Sequence, residues 1–159
     1  MKIGIDPGID GAIAIVGDKD VWLYDMPTIY CPWIKPKKNK AGKLVHPRMV
    51  DGKAISEILA PHIDNAALNI ELVHSMPQQG VVSTFNFGQA YGGVVVLAMA
   101  MGFNPKFVRP QSWKDKIGAT CQGKDFPRQL ALNLYPKLHP LLHLVKHQGR
   151  ADALFIALY

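Results

Sequence analysis

Several things are scarce in this chain, and each scarcity excludes something. Only two of its 159 residues are cysteine, Cys31 and Cys121. That is too few for a disulfide scaffold and fits a reducing cytosol. No uninterrupted apolar run reaches the roughly 20 residues that cross a bilayer, so no membrane partner is expected. The opening residues, MKIGIDPG, lack the apolar stretch of a secretory signal. There is no internal repeat and no low-complexity tract, which argues against a solenoid or a linker. Acids are few, and only two are glutamates, Glu57 and Glu71.

What is present suits one globular domain over 1–159. Hydrophobic residues make up 48% of the chain, enough to bury a core. Lys and Arg outnumber Asp and Glu by 18 to 12, a net charge of +6, which points weakly to an anionic partner.

Residues 2–7 alternate, with Ile3 and Ile5 on one face, and Gly8 and Gly11 mark a turn. Residues 12–17 and 21–24 read as second and third strands of an antiparallel meander. Asp51 opens a short helix with Ile55, Ile58 and Leu59 on one face. Residues 66–73 form an apolar strand, 82–101 a helix, 106–109 a short strand, and 127–135 and 150–159 two further helices. Strands that pair locally first and alternate with helices later imply an α/β fold, a mixed sheet flanked by helices.

Residues 27–50 break this pattern. Pro27, Pro32, Pro36 and Pro47 punctuate a loop without apolar periodicity, and loops of that length are usually functional. Lys35, Lys37, Lys38, Lys40, Lys43 and Arg48 lie in it with no acid among them. Without these six, basic and acidic residues balance at twelve each. The cluster reads as a phosphate-contacting surface or as a solvated charge run. Trp33 beside it reads as a base-stacking residue or an anchor for the loop.

Three acids stand where apolar elements end. Asp6 closes the first strand, Glu71 lies within AALNIELV, and Asp152 opens the helix in GRADALFIALY. Each has an ordinary reading: turn hydrogen bonds for Asp6, a strand edge for Glu71, the helix dipole for Asp152. Taken together, from three distant segments, they suggest a shared carboxylate site of the kind that binds Mg²⁺ or Mn²⁺. Two such ions can activate water and stabilise a leaving oxygen in phosphodiester hydrolysis.

The segments KIGIDPGIDGAIAIV, IELVHSMP, FGQAYGG and HQGRADALFIALY, in this order, resemble the RuvC family of Holliday junction resolvases, closest to its phage and chloroplast branch. The resemblance implies a ribonuclease H-like fold with a five-stranded mixed sheet. It implies a homodimer that resolves four-way DNA junctions by paired symmetric nicks, with Mg²⁺ or Mn²⁺, two ions per site. Asp6, Glu71 and Asp152 match the family's metal-binding acids. Lys114 and Lys124, in RPQSWKDKIGATCQGKDFPRQLA, match two lysines at the scissile phosphate. The family's further ligand, three or four residues before the last aspartate, is replaced by Gly149 and Gln148, so His147 is the expected substitute for both metal binding and catalysis. Gln78 and Gln79, after Glu71, are expected to read bases, Arg128 to contact DNA, and Phe85 and Phe87 to stack near the junction or pack in the core. The compartment implied is the cytoplasm of a bacterial or phage-infected cell, or an organelle. Two other readings stay open: a less selective branched-DNA or flap nuclease, and a junction-binding protein with weak catalysis. An actin-like ATPase, suggested by the DPG turn, would need a second lobe that 159 residues do not supply.

Overall fold

A computed structural model describes residues 1–39, 41–75 and 80–159. Strands β1 (Lys2–Asp6), β2 (Ala12–Val16) and β3 (Val21–Asp25) form the expected antiparallel meander. The Gly11 N–H donates to the Gly8 carbonyl at 2.9 Å to close the first turn. After β3 come β4 (Thr28–Tyr30), β5 (Lys37–Lys38), β6 (Leu44–Val45) and β7 (Arg48–Val50). Next are α1 (Gly52–Leu59), β8 (Ala67–Glu71), α2 (Val81–Ala100) and β9 (Lys106–Val108). The chain ends with α3 (Pro110–Lys116), α4 (Phe126–Leu134), α5 (His139–Leu142) and α6 (Gln148–Leu158). β8 and β9 add in parallel to give a five-stranded mixed sheet of order β3-β2-β1-β8-β9.

Side-chain alternation sorts the two faces of this sheet. Ile3, Ile5, Ile13, Ile15, Leu68 and Ile70 point to one face and pack against α1 and α2. Ala12 and Ala14 point to the other, where α4 and α6 lie. Small residues there let α6 sit directly on the strands. A Cβ at Gly4 would stand 2.2 Å from the Ala153 carbonyl oxygen and 2.3 Å from the Ala157 nitrogen. The buried Asn69 fastens the far end of the helix by donating to the Ile156 carbonyl at 2.8 Å.

One expectation needs correction. The stretch at 27–50 is a two-tier β-ribbon: β4 pairs with β7 and β5 with β6, both antiparallel. Near its tip the Asn39 side chain accepts from the Ala41 and Lys43 nitrogens, and Gly42 takes a φ of 75°. Strands of two or three residues held by backbone pairing leave no apolar period to read. Short helices α3 and α5 were likewise invisible as patterns. α2 carries no charge over 20 residues and is long and apolar enough to cross a bilayer by length and composition.

Candidate active site

The register of the central strands builds the site. β1 and β8 run in parallel with Ile5 opposite Ile70, so the next pair, at the carboxyl ends of both strands, is Asp6 and Glu71. In open α/β sheets ligand sites gather outside those strand ends. Both acids share the face of Gly4 and Asn69, the face that α6 covers. Because α6 rests on Gly4 without an intervening side chain, its first turns carry Asp152 to the same place.

The three half-buried carboxyls repel one another in a partly dehydrated setting. Burial, then the charge of Glu71, pushes the Asp6 carboxyl up to about 6. Burial, then Asp6, pushes Asp152 up to about 7, with Glu71 adding to the shift. Glu71 is raised by burial, against the opposing pull of a hydrogen bond from Trp113 and the charge of Lys114. The charge of Lys114 lowers all three. Asp152 Oδ1 is buried and has no hydrogen-bond partner. An orphaned carboxylate oxygen at this depth is costly unless a proton or a cation meets it.

A cleft of about 460 Å³ opens beside Asp6, between the 8–11 turn and Ser83, Asn86 and Phe87 of α2. Phe87 is therefore a half-buried wall of the site, whereas Phe85 is 69% exposed.

The expected lysines behave differently. Lys114, on α3, is half-buried among the acids. Lys124 is exposed and close enough to lower Asp152. Gln148 positions that loop, its side chain donating to the Lys124 carbonyl at 2.5 Å. Gly149, where a family ligand was expected, is a packing position: a Cβ there would lie 3.0 Å from the Asp10 carbonyl oxygen.

His147 does not join the acids, which corrects the expectation that it replaces the missing ligand. It is buried, its Nδ1 accepts from the Leu144 nitrogen at 3.4 Å, and its ring packs edge-on against His143. It lies in the turn before α6, at the position preceding the helix, whereas Asp152 projects from the helix itself. Burial and the neighbouring Arg150 and Lys146 charges lower its pKa, which favours the neutral imidazole. Arg128 is corrected too. It is 4% exposed, chelates Asp125 with two hydrogen bonds of 2.6 Å, and donates to the Leu142 carbonyl at 2.9 Å, so it braces α4 against α5 and offers nothing to DNA.

Lys35, Lys37, Lys38 and Lys43 are exposed on the ribbon. Trp33 stands 67% exposed, so it packs little against the rest of the ribbon. Arg48, at the ribbon's base, pairs with Asp10 of the 8–11 turn at 2.5 Å. Lys40, Gln78 and Gln79 lie outside the described residues.

The donor set suits a hard divalent cation: carboxylate oxygens only, one of them orphaned. Among the described residues no group of three or more His, Cys, Asp or Glu is placed so as to hold a metal ion as it stands. Asp6, Glu71 and Asp152 are the residues whose side chains would have to turn together to hold one. Sequence reasoning missed Trp113, whose indole N–H donates to Glu71 Oε1 at 2.8 Å. Its only signal was a tryptophan beside a lysine of interest.

Over the whole chain this architecture has solved counterparts. The RuvC of Thermus thermophilus in complex with a Holliday junction substrate superimposes with a TM-score of 0.55, covering 98% of this chain and 88% of that one at 20% identity. The chain has the ribonuclease H-like fold of RuvC. A second Thermus thermophilus RuvC structure agrees, with a TM-score of 0.52, 19% identity and coverage of 98% and 90%. The RuvC likeness at this identity concerns the fold. In sequence, the chain is 33% identical over 89 residues to the Holliday junction resolvase MOC1, chloroplastic, of Chlamydomonas reinhardtii. That match covers 55% of this chain, which spans about a tenth (10%) of the length of that curated relative. No family model matches.

Proposed function

We propose that the protein is a divalent-metal-dependent endonuclease that resolves four-way DNA junctions by paired symmetric nicks. The observation that carries this reading is the meeting of Asp6, Glu71 and Asp152 at the carboxyl ends of β1 and β8, with Asp152 Oδ1 unpartnered. The junction as substrate is supported by the sequence likeness to a Holliday junction resolvase and by the fold shared with a RuvC bound to one.

The three acids would hold Mg²⁺ or Mn²⁺, two ions on this reading. Bound there, the ions would activate a water and stabilise the leaving oxygen of a phosphodiester. The chain's own residues supply the rest. Lys114 offsets the carboxylate charge that would repel a phosphate. Lys124, exposed at the rim, offers a second cation to the DNA backbone. The ribbon lysines Lys35, Lys37, Lys38 and Lys43 extend the positive surface along the DNA arms. Gln78 and Gln79 are assigned to base reading on the family resemblance alone.

Paired nicks require two sites, and we propose a homodimer formed through α2. Val81, Phe85, Gly88, Gly92, Val96 and Met99 fall on one stripe of this helix at 100° per residue. The four larger side chains are 86%, 69%, 66% and 59% exposed, and the opposite face, with Ala90, Val94 and Ala98, packs in the core. Added Cβ atoms at Gly88 and Gly92 would meet nothing within 4 Å, so a second backbone has room to approach. This stripe is assigned to a second copy rather than to a membrane. The place of action would be the cytoplasm of a bacterial or phage-infected cell, or an organelle.

The test is a labelled four-way junction incubated with Mg²⁺ or Mn²⁺. The wild-type chain should give symmetric nicks. Asp6→Asn and Glu71→Gln should each lose more than about a hundredfold, beyond the tenfold to hundredfold typical of outer-shell partners. Binding without cleavage in either metal would sink the enzyme reading, and equal cutting of flaps would point to a broader nuclease.

A further inference from the structure

We propose that Trp113 is a positioning residue for Glu71: its indole N–H holds one carboxylate oxygen and so presents the other toward Asp6 and Asp152, where a divalent cation is received. This inference rests on the reading of the three acids as a cation site.

The chain path makes the contact. β9 pairs with β8 so that Glu71 stands opposite Val108. Two residues later Pro110 starts α3, and the first turn of that helix folds Trp113 back over the end of β8. Trp113 is 1% exposed and belongs to the cluster that includes Val108, Leu154 and Ala12. A phenylalanine or leucine could fill such a place. What an indole adds is one N–H, which in an apolar surround must find an acceptor. It finds Glu71 Oε1 at 2.8 Å.

Glu71 needs such a tie. It is a three-torsion side chain at a strand end, half-buried, and it faces the like charge of Asp6. Without a fixed donor that repulsion favours rotamers swung toward water. With Oε1 engaged by the indole, Oε2 is left for a cation. The same indole also sits under Lys114, whose Nζ lies 5.3 Å from the ring centroid. One buried ring thus orders both the acid and the lysine on which the site depends. Partners of this outer kind typically change metal affinity tenfold to a hundredfold when removed.

The test replaces Trp113 with Phe and, separately, with benzothienylalanine, which keeps the shape of the ring and lacks the N–H. Mn²⁺ binding to the full, DNA-free chain is followed by electron paramagnetic resonance. The half-saturating Mn²⁺ concentration should rise tenfold to a hundredfold in the benzothienylalanine variant, with the melting temperature close to wild type. Junction cleavage should return toward the wild-type rate at saturating Mn²⁺. In a Glu71→Ala background the same replacement should cause no further loss, because the carboxylate that the indole positions is already gone. An unchanged half-saturation in the benzothienylalanine variant, with wild type binding Mn²⁺ normally, overturns the inference alone. A wild-type chain that binds no Mn²⁺ overturns the cation-site reading and this inference with it. If the Phe variant does not fold, the isosteric variant still decides.

Discussion

Asp152 is the acid held at the greatest electrostatic disadvantage, and its protonation makes a measurable prediction. Its carboxyl moves from an ordinary 3.8 to about 7 in the folded chain, mainly by burial and then by Asp6. Between these values the folded state carries a proton that the unfolded state has lost. Its contribution to stability is therefore greatest below about pH 4, falls as pH rises, and reaches its full cost above about pH 7. Asp152→Asn removes that cost. The metal-free variant should be more stable than wild type at pH 8 by ~1–3 kcal/mol, a rise of roughly 3–10 °C in melting temperature. The difference should shrink by pH 4–5, as scanning calorimetry would check; a gap independent of pH would contradict the assigned shift. Saturating Mg²⁺ at pH 8 should stabilise wild type and leave the variant little changed. Of the site residues, those legible in sequence were the ones in chemical conflict with their neighbours: carboxylates in apolar strands and helices. His147 and Arg128 were misassigned because a cationic or ligating side chain can instead be consumed by an internal partner, here the Leu144 backbone and Asp125. Nothing local in the sequence distinguishes the two fates.

Among the elements, the basic ribbon and α6 differ most from their sequence patterns. Lys37 and Lys38 stand on paired strands, and the ribbon is joined to the 8–11 turn through Arg48 and Asp10. A two-stranded ribbon that is basic and free of acids suits contact with phosphates on several consecutive nucleotides. Replacing Lys37, Lys38 and Lys43 together with Ala should weaken junction binding. It should also flatten the dependence of log K on log salt by up to about three, near one per lost phosphate contact. Filter binding across a salt series checks this, and an unchanged slope would remove the phosphate role. α6 was legible as an apolar helix, yet its position was not. Its closeness to β1 follows from Gly4 and its closeness to the 8–11 turn from Gly149, two absent side chains whose meaning emerges only when the opposing backbone is in place.

For the molecule as a whole, the unresolved balance is on α2. A 20-residue helix without charge, with one face packed and the other open, leaves a long apolar stripe in water. A symmetric pair of such helices would cover both stripes at once. Phe85→Glu with Val96→Glu should therefore give a monomer by analytical ultracentrifugation. The same variant should convert paired nicks into single ones, with the carboxylate site itself untouched. A variant that stays dimeric would place the interface elsewhere. The cluster of Gly88, Gly92 and Gly93 hinted at close packing in the sequence, but only Gly93 has an internal neighbour, Val50 at 3.3 Å.

Sequence alone determined the strand order of the meander, the α/β class, and the three acids. These depend on alternation and on charge placed against burial, which are properties of neighbours along the chain. The tertiary structure decided what depends on neighbours in space. It put Asp6 and Glu71 in adjacent register and laid α6 on Gly4 so that Asp152 joins them. It also turned His147 away, consumed Arg128 in a buried pair, and set the Trp113 N–H against Glu71. The physical reason is common to all of these. A side chain's chemistry is set by which hydrogen-bond and charge partners reach it first, and that order is fixed by packing across the sheet.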